Sequence, residues 1–257
     1  MLTLSNLDCL ELLKTLPDQS VDMVLTDPPY FIGFDGGKGW DSQWPSEKEY
    51  LAWCESWTTE CVRVLKPQRM MVVFGTLKTD TFLKYKLDVL NARPELTGQN
   101  EIIWSYNWGG RGKSNFARKH EYAWCYSHGD KFLFNGDAVR VERKQKVNIR
   151  TGKEYSNGTI PTCVWEKNNH TTSKEYVNWH PTQKPLEILQ RMISAWTNPG
   201  ETVLDIFSGS ASTMIACANT NRNFIGCELD PEYHAKSLKR FADMCPLEAM
   251  QQRMLSD

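Results

Sequence analysis

Several features that would restrict the function of this protein are missing from its sequence. The 8 cysteines among its 257 residues are irregularly spaced and form no Cys-x-x-Cys pair, which argues against a zinc site and against a disulfide framework. No apolar run approaches the roughly 18 residues that a membrane-spanning helix needs, and no basic segment precedes the apolar residues of the N-terminus. We therefore expect a cytoplasmic protein with reduced thiols, no metal and no membrane partner.

The chain also lacks a strong net charge. Its formal charge is −1, which by itself gives no sign of a nucleic-acid partner. The charges are unevenly placed, however, because residues 100–180 contain 13 Lys or Arg against 8 Asp or Glu, while the remaining residues contain 17 against 23. A basic central segment in an acidic chain creates a local field that attracts polyanions. A solvated surface without a partner is the alternative explanation.

Alternating strand and helix patterns flank this central segment. Apolar runs predict buried strands, and apolar residues at helical spacing predict helices. The predicted strands are 21–26, 70–75, 202–207 and 224–228, and the predicted helices are 47–65, 79–90, 185–196, 211–220 and 231–244. This alternation predicts an α/β fold: a doubly wound, mostly parallel sheet with helices on both faces.

The first candidate site follows the strand of residues 21–26, in the sequence Asp27-Pro28-Pro29-Tyr30. Each proline fixes φ and lacks an N–H, and the residue before a proline favours extended backbone. The tetrapeptide therefore leaves the sheet as a stiff, extended segment that presents a carboxylate, two carbonyl groups and an aromatic ring. Hydrogen-bond acceptors beside an aromatic ring suit a flat ligand that carries an amino group.

The second candidate site is VLDIFSGSAST, residues 203–213, where a strand runs into small residues and then into a helix. Such a turn collects backbone N–H groups at the positive end of the helix and favours an anionic group. Glu228 ends the next strand, 23 residues after Asp205, which is the offset of a ribose-binding acid in nucleotide-binding α/β folds. The pair favours an adenosine-containing ligand, with a purely structural turn as the alternative.

A third candidate site is HPTQKP, residues 180–185, which lies just before a predicted helix. Its two prolines make it a stiff arm that could deliver Thr182 and Lys184 to the carboxylate of a ligand. Taken alone, His180 and Lys184 would each be read as an ordinary loop residue. The prediction therefore depends on the two prolines of this segment.

Together these motifs resemble the beta group of DNA amino-methyltransferases. DPPY, HPTQKP, the Asp-x-Phe-x-Gly-Ser loop and GCELDPEY occur in the family's order and cover most of the chain, most weakly from 140 to 178. The resemblance implies a Rossmann-like methyltransferase fold with permuted motif order and S-adenosylmethionine as cofactor. It divides the chain into an acceptor half at 1–98, an inserted target-recognition region at 99–179 and a cofactor-binding half at 180–257.

The resemblance also implies a role for each matching position. Asp27 to Tyr30 would be the catalytic tetrapeptide. The expected cofactor-binding residues are Asp8, Cys9, Asp27, Thr182, Gln183, Lys184, Asp205, Phe207, Ser208, Gly209, Ser210, Glu228 and Leu229. Capping of the first helix is the competing role for Asp8. The first residues expected to contact DNA are Arg111, Lys113, Arg118 and Lys119. The residues expected to contact phosphates are Arg140, Arg143, Lys144 and Lys146.

The expected reaction is methyl transfer to the exocyclic amino group of adenine in double-stranded DNA, with base flipping, in DNA modification or restriction-modification. Adenine is favoured because the family's cytosine members more often have Ser in place of Asp27. The alternatives are the cytosine 4-amino group, RNA as the substrate, a non-catalytic nucleic-acid-binding relic of the fold and a nicotinamide-dependent oxidoreductase. Whether the chain acts as a monomer or a homodimer stays open.

One position departs from the family pattern. The family usually continues Gly-Ser-Gly-Thr, whereas this chain has Gly209-Ser210-Ala211-Ser212. Alanine adopts positive φ only at a cost and adds a methyl group near the ligand. The backbone path of this loop is therefore an open point for the structure.

Overall fold

The computed structural model describes residues 1–143, 146–147, 149–154, 158–168 and 173–249. Eight strands form one sheet: β1 (Leu2–Ser5), β2 (Val21–Thr26), β3 (Leu65–Gly75), β4 (Leu96–Ser105), β5 (His120–His128), β6 (Val164–Glu166), β7 (Thr202–Asp205) and β8 (Asn223–Cys227). Their order across the sheet is β1-β8-β7-β2-β3-β5-β4-β6. Five neighbouring pairs are parallel, and β5 is antiparallel to both of its neighbours. The predicted mostly parallel sheet is confirmed.

Helices cover both faces of this sheet. They are α1 (Cys9–Thr15), α2 (Glu47–Val64), α3 (Asp80–Lys84), α4 (Leu186–Trp196), α5 (Ser212–Asn219) and α6 (Pro231–Met244). Because side chains alternate along a strand, Met23 and Leu25 of β2 pack in one core with α4 and α5, while Val24 packs in the other with α1 and α2. Burial on both faces explains why β2 has an almost continuous apolar sequence.

Most of the predicted elements occur within one or two residues of their expected ends, and the differences have local causes. The predicted helix 79–90 is divided into α3 and a π-helical turn at Tyr85–Leu90. Strand β3 begins directly after α2, with Gln68 in the left-handed region at φ 62°. The short edge strands β1 and β6 were not predicted, because 3 or 4 residues carry little periodicity.

The strand order explains how distant segments meet. Strands β2 and β7 are parallel neighbours, and the chain winds away from this point in opposite directions. Ligands of α/β sheets bind outside the carboxyl ends of the strands at such a switch point. The two ends are joined directly, because the Thr26 hydroxyl donates to Asp205 Oδ1 at 2.9 Å.

The basic central segment is only partly separate from this sheet. Strands β4, β5 and β6 all extend the sheet beyond β3, and the connections between them are mostly irregular. All 8 cysteines are unpaired, as predicted, and only Cys163 is exposed. Within the described ranges, the structure contains no helix long and apolar enough to cross a membrane.

Candidate active site

A cavity of about 990 Å³ opens at the carboxyl ends of β2 and β7. This volume lies at the upper end of the range for small-molecule sites, roughly 300 to 1,000 Å³, as suits a site for two reactants. The cavity is lined by every residue that the sequence assigned to catalysis or to the cofactor: Asp8, Cys9, Asp27, Pro28, Pro29, Tyr30, Thr182, Gln183, Lys184, Asp205, Phe207, Ser208, Gly209, Ser210, Glu228 and Leu229. Three motifs that are distant in sequence therefore form one site.

The Asp27 carboxylate is held from both sides. The Tyr30 hydroxyl donates to Asp27 Oδ1 at 2.5 Å, and the Lys184 ammonium donates to Oδ2 at 2.5 Å. Lys184 also lies 3.2 Å from a second carboxylate, Glu121 Oε2. Only 5% of the Lys184 side chain is exposed, so two acids and a lysine form a largely desolvated ion cluster beside the catalytic tetrapeptide.

The protonation states in this cluster depend on burial and on neighbouring charge. Burial alone would lower the pKa of Lys184, but the adjacent Asp27 and Glu121 carboxylates outweigh it and the net pKa is raised. Burial raises the pKa of Glu121, and Lys184 opposes that rise. Burial and the nearby Asp27 raise the pKa of Tyr30 well above its usual range. Lys184 is therefore a charged ammonium and Tyr30 a neutral phenol that donates.

Two features of this cluster differ from the sequence analysis. Lys184 was expected at a ligand carboxylate, but in the structure its ammonium bonds to the protein's own acids, because the arm places it opposite the end of β2. Glu121 was not identified. It is the second residue of β5, where one acid near the start of an apolar strand is a weak signal, and only the pairing of β5 with β3 brings it to the cavity.

Three other expected ligand groups are engaged within the protein. Gln183 accepts from the Val177 amide at 2.9 Å and donates to the Glu175 carbonyl at 2.6 Å, so it fixes the preceding segment. Asp8 accepts from the Leu10 amide at 2.8 Å and caps α1, which confirms the alternative role. The Pro29 carbonyl accepts from the Tyr50 hydroxyl at 2.7 Å, so one of the two proline acceptors is used by α2.

Asp41 organises the loop that follows the tetrapeptide. Its two carboxylate oxygens accept from the backbone amides of Tyr30, Phe31, Ile32 and Phe34, at 2.6, 2.8, 3.0 and 3.0 Å. Asp41 is 1% exposed, and Phe31 is held in the left-handed region at φ 56°. A buried carboxylate that satisfies four amides can hold a loop in such a strained conformation. The sequence analysis missed this residue, since no local pattern marks it.

Asp41→Asn is expected to lower the free energy of unfolding by about 2 to 3 kcal/mol. The amide keeps the shape of the side chain but turns two acceptor positions into donors, which would face backbone N–H groups in a buried site. Urea unfolding followed by tryptophan fluorescence measures the change, with the exposed Asp88→Asn as the control. An unchanged unfolding midpoint for Asp41→Asn would contradict this role.

The turn at residues 205–210, here called the donor loop, is held by two acids, the buried Asp205 and the partly exposed Glu228. Asp205 accepts from the Phe207 amide at 3.2 Å in addition to Thr26, and Glu228 accepts from the amides of Gly209 at 2.8 Å and Asp230 at 2.9 Å. Burial raises the pKa of Asp205 to about 6 and that of Glu228 to about 7. Glu228 therefore changes charge near neutral pH, at the position expected to meet a ribose.

Ala211, which replaces the glycine of the family pattern, keeps the backbone conformation that glycine would adopt. Ala211 has φ 60° and ψ 27°, so it adopts the left-handed conformation that the family pattern gives to glycine, and it precedes α5 directly. The cost of this conformation for alanine is about 1 to 2 kcal/mol. The Ala211 methyl group is completely buried in the core, and this burial offsets part of the cost, about 0.8 kcal/mol per carbon.

Gly209 and His180 fit closely against each other. Gly209 has φ 50°, and a Cβ atom on it would lie 2.6 Å from His180 Nε2, so a side chain is excluded by contact as well as by conformation. Burial lowers the pKa of His180 to about 4, with Lys184 and Arg240 adding to the effect. The His180 ring is thus neutral and packs tilted against Tyr233 at 4.9 Å.

Arg240 of α6 is a further residue that the sequence analysis missed. Its guanidinium donates to the Ser210 carbonyl at 2.6 Å, to the Ser212 hydroxyl at 3.0 Å and to the Glu175 carbonyl at 2.8 Å. Arg240 is 7% exposed and ties the donor loop to the segment before the HPTQKP arm. An arginine on a predicted helix gives no sequence signal of such a role, because most are solvated.

The basic residues proposed for DNA contact occupy different settings. Arg111, Lys113 and Arg118 are exposed in the loop between β4 and β5, where Lys119 donates to the Asn107 carbonyl at 2.9 Å. Three others have partners within the protein: Arg140 with Asp137, Arg143 with the Gly158 carbonyl and Lys146 with Glu142. Lys144 lies outside the described residues.

The cavity residues fit S-adenosylmethionine. The Glu228 carboxylate suits a pair of ribose hydroxyls, because each of its oxygens accepts one amide and can accept a further donor. The Phe207 ring packs 5.4 Å from Trp53 and offers an apolar wall beside the donor loop. Asp27 and Asp205 both line the cavity, so two carboxyl groups are available to the positively charged sulfonium of the cofactor.

The sequence model of a family described as DNA methylase matches residues 21–239 of this chain. The chain is 35% identical over 246 residues to DNA adenine methyltransferase YhdJ of Escherichia coli (strain K12), covering 91% of this chain and 80% of that protein. It is 32% identical over 227 residues to type II methyltransferase M.HpaI of Haemophilus parainfluenzae, covering 88% and 69%.

Solved structures are similar to this fold. A complex of M1.HpyAVI with SAM has a TM-score of 0.63 and 25% identity, and the match covers 93% of this chain and 100% of that one. The PvuII DNA methyltransferase, described as cytosine-N4-specific, has a TM-score of 0.68 at 20% identity, covering 93% and 86%. At that level of identity, the second likeness concerns the fold alone.

Proposed function

Because this chain belongs to the DNA methylase family, we propose that it transfers a methyl group from S-adenosylmethionine to the exocyclic amino group of adenine, at a defined sequence in duplex DNA. The observation that carries the proposal is the Asp27 carboxylate, fixed by Tyr30 and Lys184 in the same cavity as the donor loop. A carboxylate there can accept an N–H bond from an amino group, and a loop with Glu228 can hold the methyl donor.

Two observations favour adenine over cytosine. YhdJ, the relative with 35% identity, is described as an adenine methyltransferase. The tetrapeptide begins with Asp27, where cytosine members of the family more often have Ser. The cytosine 4-amino group is the second candidate, since it presents the same pair of N–H donors to the same acceptors.

The proposed mechanism assigns each residue of the tetrapeptide a task. When bound, S-adenosylmethionine supplies an electrophilic methyl group. Asp27 and the Pro28 carbonyl accept the two N–H groups of the target amine, which holds the nitrogen with its lone pair toward the donor loop. As positive charge develops on the nitrogen, the fixed Asp27 carboxylate stabilises it, and Asp27 then accepts the proton that the nitrogen loses and releases it to solvent.

The supporting residues keep these acceptors in place. The Tyr50 hydroxyl fixes the Pro29 carbonyl, and Asp41 fixes the amide of Tyr30. Tyr30 itself packs at 4.7 Å from Phe82, which orients its ring toward the incoming base. A target adenine must leave the duplex, because its reacting nitrogen is otherwise paired, and stacking on Tyr30 recovers part of the cost of extrusion.

Residues 99–179 are proposed to recognise DNA, with Arg111, Lys113, Arg118 and Lys119 as the first contacts. Arg118 lines the cavity and the other three lie in the same loop, so phosphate contacts there would position the duplex beside the cavity. Residues 1–98 and 180–257 then supply the acceptor and cofactor sides of the catalytic domain. We propose that the enzyme acts in the cytoplasm, with its DNA substrate. Light scattering with and without DNA distinguishes a monomer from a homodimer.

The function is tested by sequencing DNA from cells that express the protein, with a method that detects methylated adenine and cytosine. The expected result is N6-methyladenine at one short sequence, and its absence in cells that express Asp27→Ala at the same level. Methylcytosine at the site would support the second candidate. An absence of any modification, with purified protein also inactive on duplex DNA, would contradict the proposal.

Affinity for S-adenosylmethionine is expected to weaken several-fold as the pH falls from about 7.5 to 6. The pKa of Glu228 is raised to about 7 by burial, and only the ionised carboxylate accepts bonds from both ribose hydroxyls, so binding is strong above that pKa and weaker below it. Glu228→Gln should bind the cofactor about 1 to 3 kcal/mol more weakly and lose this pH dependence.

Calorimetry over this pH range measures both effects on the same two proteins. Any dependence that remains near pH 6 in Glu228→Gln belongs to Asp205, whose pKa is raised to about 6. Identical pH profiles for the two proteins would remove Glu228 from the cofactor site.

A further inference from the structure

The loop of residues 107–119, here called the β4–β5 loop, stands at the mouth of the active-site cavity. It joins the end of β4 to the start of β5. Three of its residues line the cavity, Trp108, Gly110 and Arg118, and so does His120, the first residue of β5. Its base is fixed, because the Tyr106 amide donates to the Lys119 carbonyl at 3.0 Å and the Asn107 amide to Asn168 Oδ1 at 2.7 Å. The loop therefore projects from a firm base beside the catalytic tetrapeptide.

The tip of this loop presents an aromatic ring to solvent. Phe116 is 99% exposed, the most exposed of the large apolar side chains in the described part of the chain. The turn before it is tight, since a Cβ atom on Gly112 would lie 1.7 Å from the Asn115 carbonyl oxygen. An exposed phenylalanine gains nothing from burial, so a ring held there suits a partner that covers it.

The surroundings of Phe116 identify the kind of partner. Arg111, Lys113 and Arg118 are exposed on both sides of it within the same loop, and this charge complements DNA phosphates. Arg118 lines the cavity, and two residues of chain span at most about 7 Å. The backbone of Phe116 thus lies within about 7 Å of the backbone of a cavity-lining residue.

We propose that Phe116 inserts into the duplex and fills the space that the extruded adenine leaves. This inference rests on the proposed function, because an enzyme that extrudes a base leaves a gap in the stack. Apolar side chains that enter a base step partly unstack it, which costs free energy, and stacking of an aromatic ring on a base returns part of that cost. The ring would slow the return of the adenine to the helix.

The test compares Phe116→Ala with wild type on two duplexes that carry the methylated sequence found in cells. In one duplex the target adenine is paired with thymine, and in the other it faces an abasic site, so that no pair has to be broken. Single-turnover methylation at saturating cofactor is measured on both. Phe116→Trp retains a stacking ring, and Leu247→Ala removes another exposed apolar side chain, 71% exposed and outside residues 99–179, as the matched control.

Phe116→Ala is expected to lose about tenfold or more of its rate on the paired duplex and less than about threefold on the abasic duplex. Phe116→Trp should keep the rate on both, as should Leu247→Ala. Equal losses on the two duplexes, or no loss on either, would overturn the insertion role. A wild-type protein that methylates neither duplex would instead contradict the proposed function, and the insertion role with it.

Discussion

Single-turnover methylation by Asp27→Asn is expected to be at least about 100-fold slower than that of wild type, while affinity for S-adenosylmethionine stays within a few-fold. The variant keeps the shape of the side chain. It also keeps an oxygen acceptor for the Tyr30 hydroxyl, which in the wild type lies 2.5 Å from Asp27 Oδ1. It loses the negative charge that stabilises the developing positive charge on the target nitrogen. This interaction is stronger in the transition state than in the ground state, so its loss appears in the rate.

Asp22→Asn is the matched control for this experiment. Asp22 is a buried aspartate near the start of the same strand and is paired with Lys66 and Arg69 at the opposite end of the sheet. Loss of the Asp22 charge should lower the stability of the protein and leave the methylation rate of the folded enzyme unchanged. Near-normal turnover by Asp27→Asn would refute the mechanism, whereas loss of cofactor affinity alone would assign Asp27 to cofactor binding.

Lys184→Met is expected to reduce the methylation rate about 100-fold at pH 7 and to regain much of it at higher pH. The Lys184 ammonium lies 2.5 Å from Asp27 and 3.2 Å from Glu121, and it opposes the rise that burial causes in the Glu121 pKa. Without this charge nothing opposes the rise that burial causes in the Glu121 pKa, so Glu121 stays protonated to higher pH, and Asp27 loses its ammonium partner. The rate is then low at neutral pH and rises again as Glu121 deprotonates.

Two further variants separate charge from structure in this experiment. Lys184→Arg keeps the charge and should keep the neutral-pH rate better than Lys184→Met, although its shape differs. Lys84→Met removes an exposed lysine that pairs with Glu47 and should change nothing measurable, as surface ion pairs contribute little. Because breaking a buried ion cluster costs about 3 to 5 kcal/mol, folding is checked by thermal unfolding at each pH.

The same measurements distinguish two roles for Lys184, binding of the cofactor and positioning of Asp27. If Lys184 binds the cofactor's carboxylate, as the sequence analysis expected, Lys184→Met weakens cofactor binding and leaves the shape of the pH profile unchanged. If it holds Asp27, as its hydrogen bond places it, the pH profile shifts and cofactor binding changes little. Calorimetry and the pH profile of single-turnover rates give opposite results for the two cases.

Local chemistry was sufficient to predict much of this protein. The rigid exit at DPPY, the small-residue turn after Asp205 and the alternation of strands and helices depend on neighbouring residues, and such effects can be derived from sequence. The order of the motifs led to the family. Boundaries were predicted best where caps mark them, as at α6, where Asp230 accepts from two amides and Pro231 begins the helix.

Contacts between distant residues could not be predicted in this way. Asp41 binds the backbone of the loop after the tetrapeptide, Glu121 pairs with Lys184, and Arg240 binds the donor loop. Only the folded chain brings these partners together. No periodicity or spacing marks them, because a lone charged residue is solvated in most sequences. Their roles follow from burial, which makes each such group require a partner.

The sequence by itself determined the chemistry that the site contains: a carboxylate on a stiff strand exit, a turn for an adenosine-bearing cofactor and a basic central segment. The tertiary structure alone decided how these parts act together. The parallel pairing of β2 with β7 joins the two halves of the site, and the pairing of β5 with β3 adds Glu121. The physical reason is that strand pairing and desolvation depend on residues far apart in the chain, whereas turn stiffness and helix capping depend on neighbours.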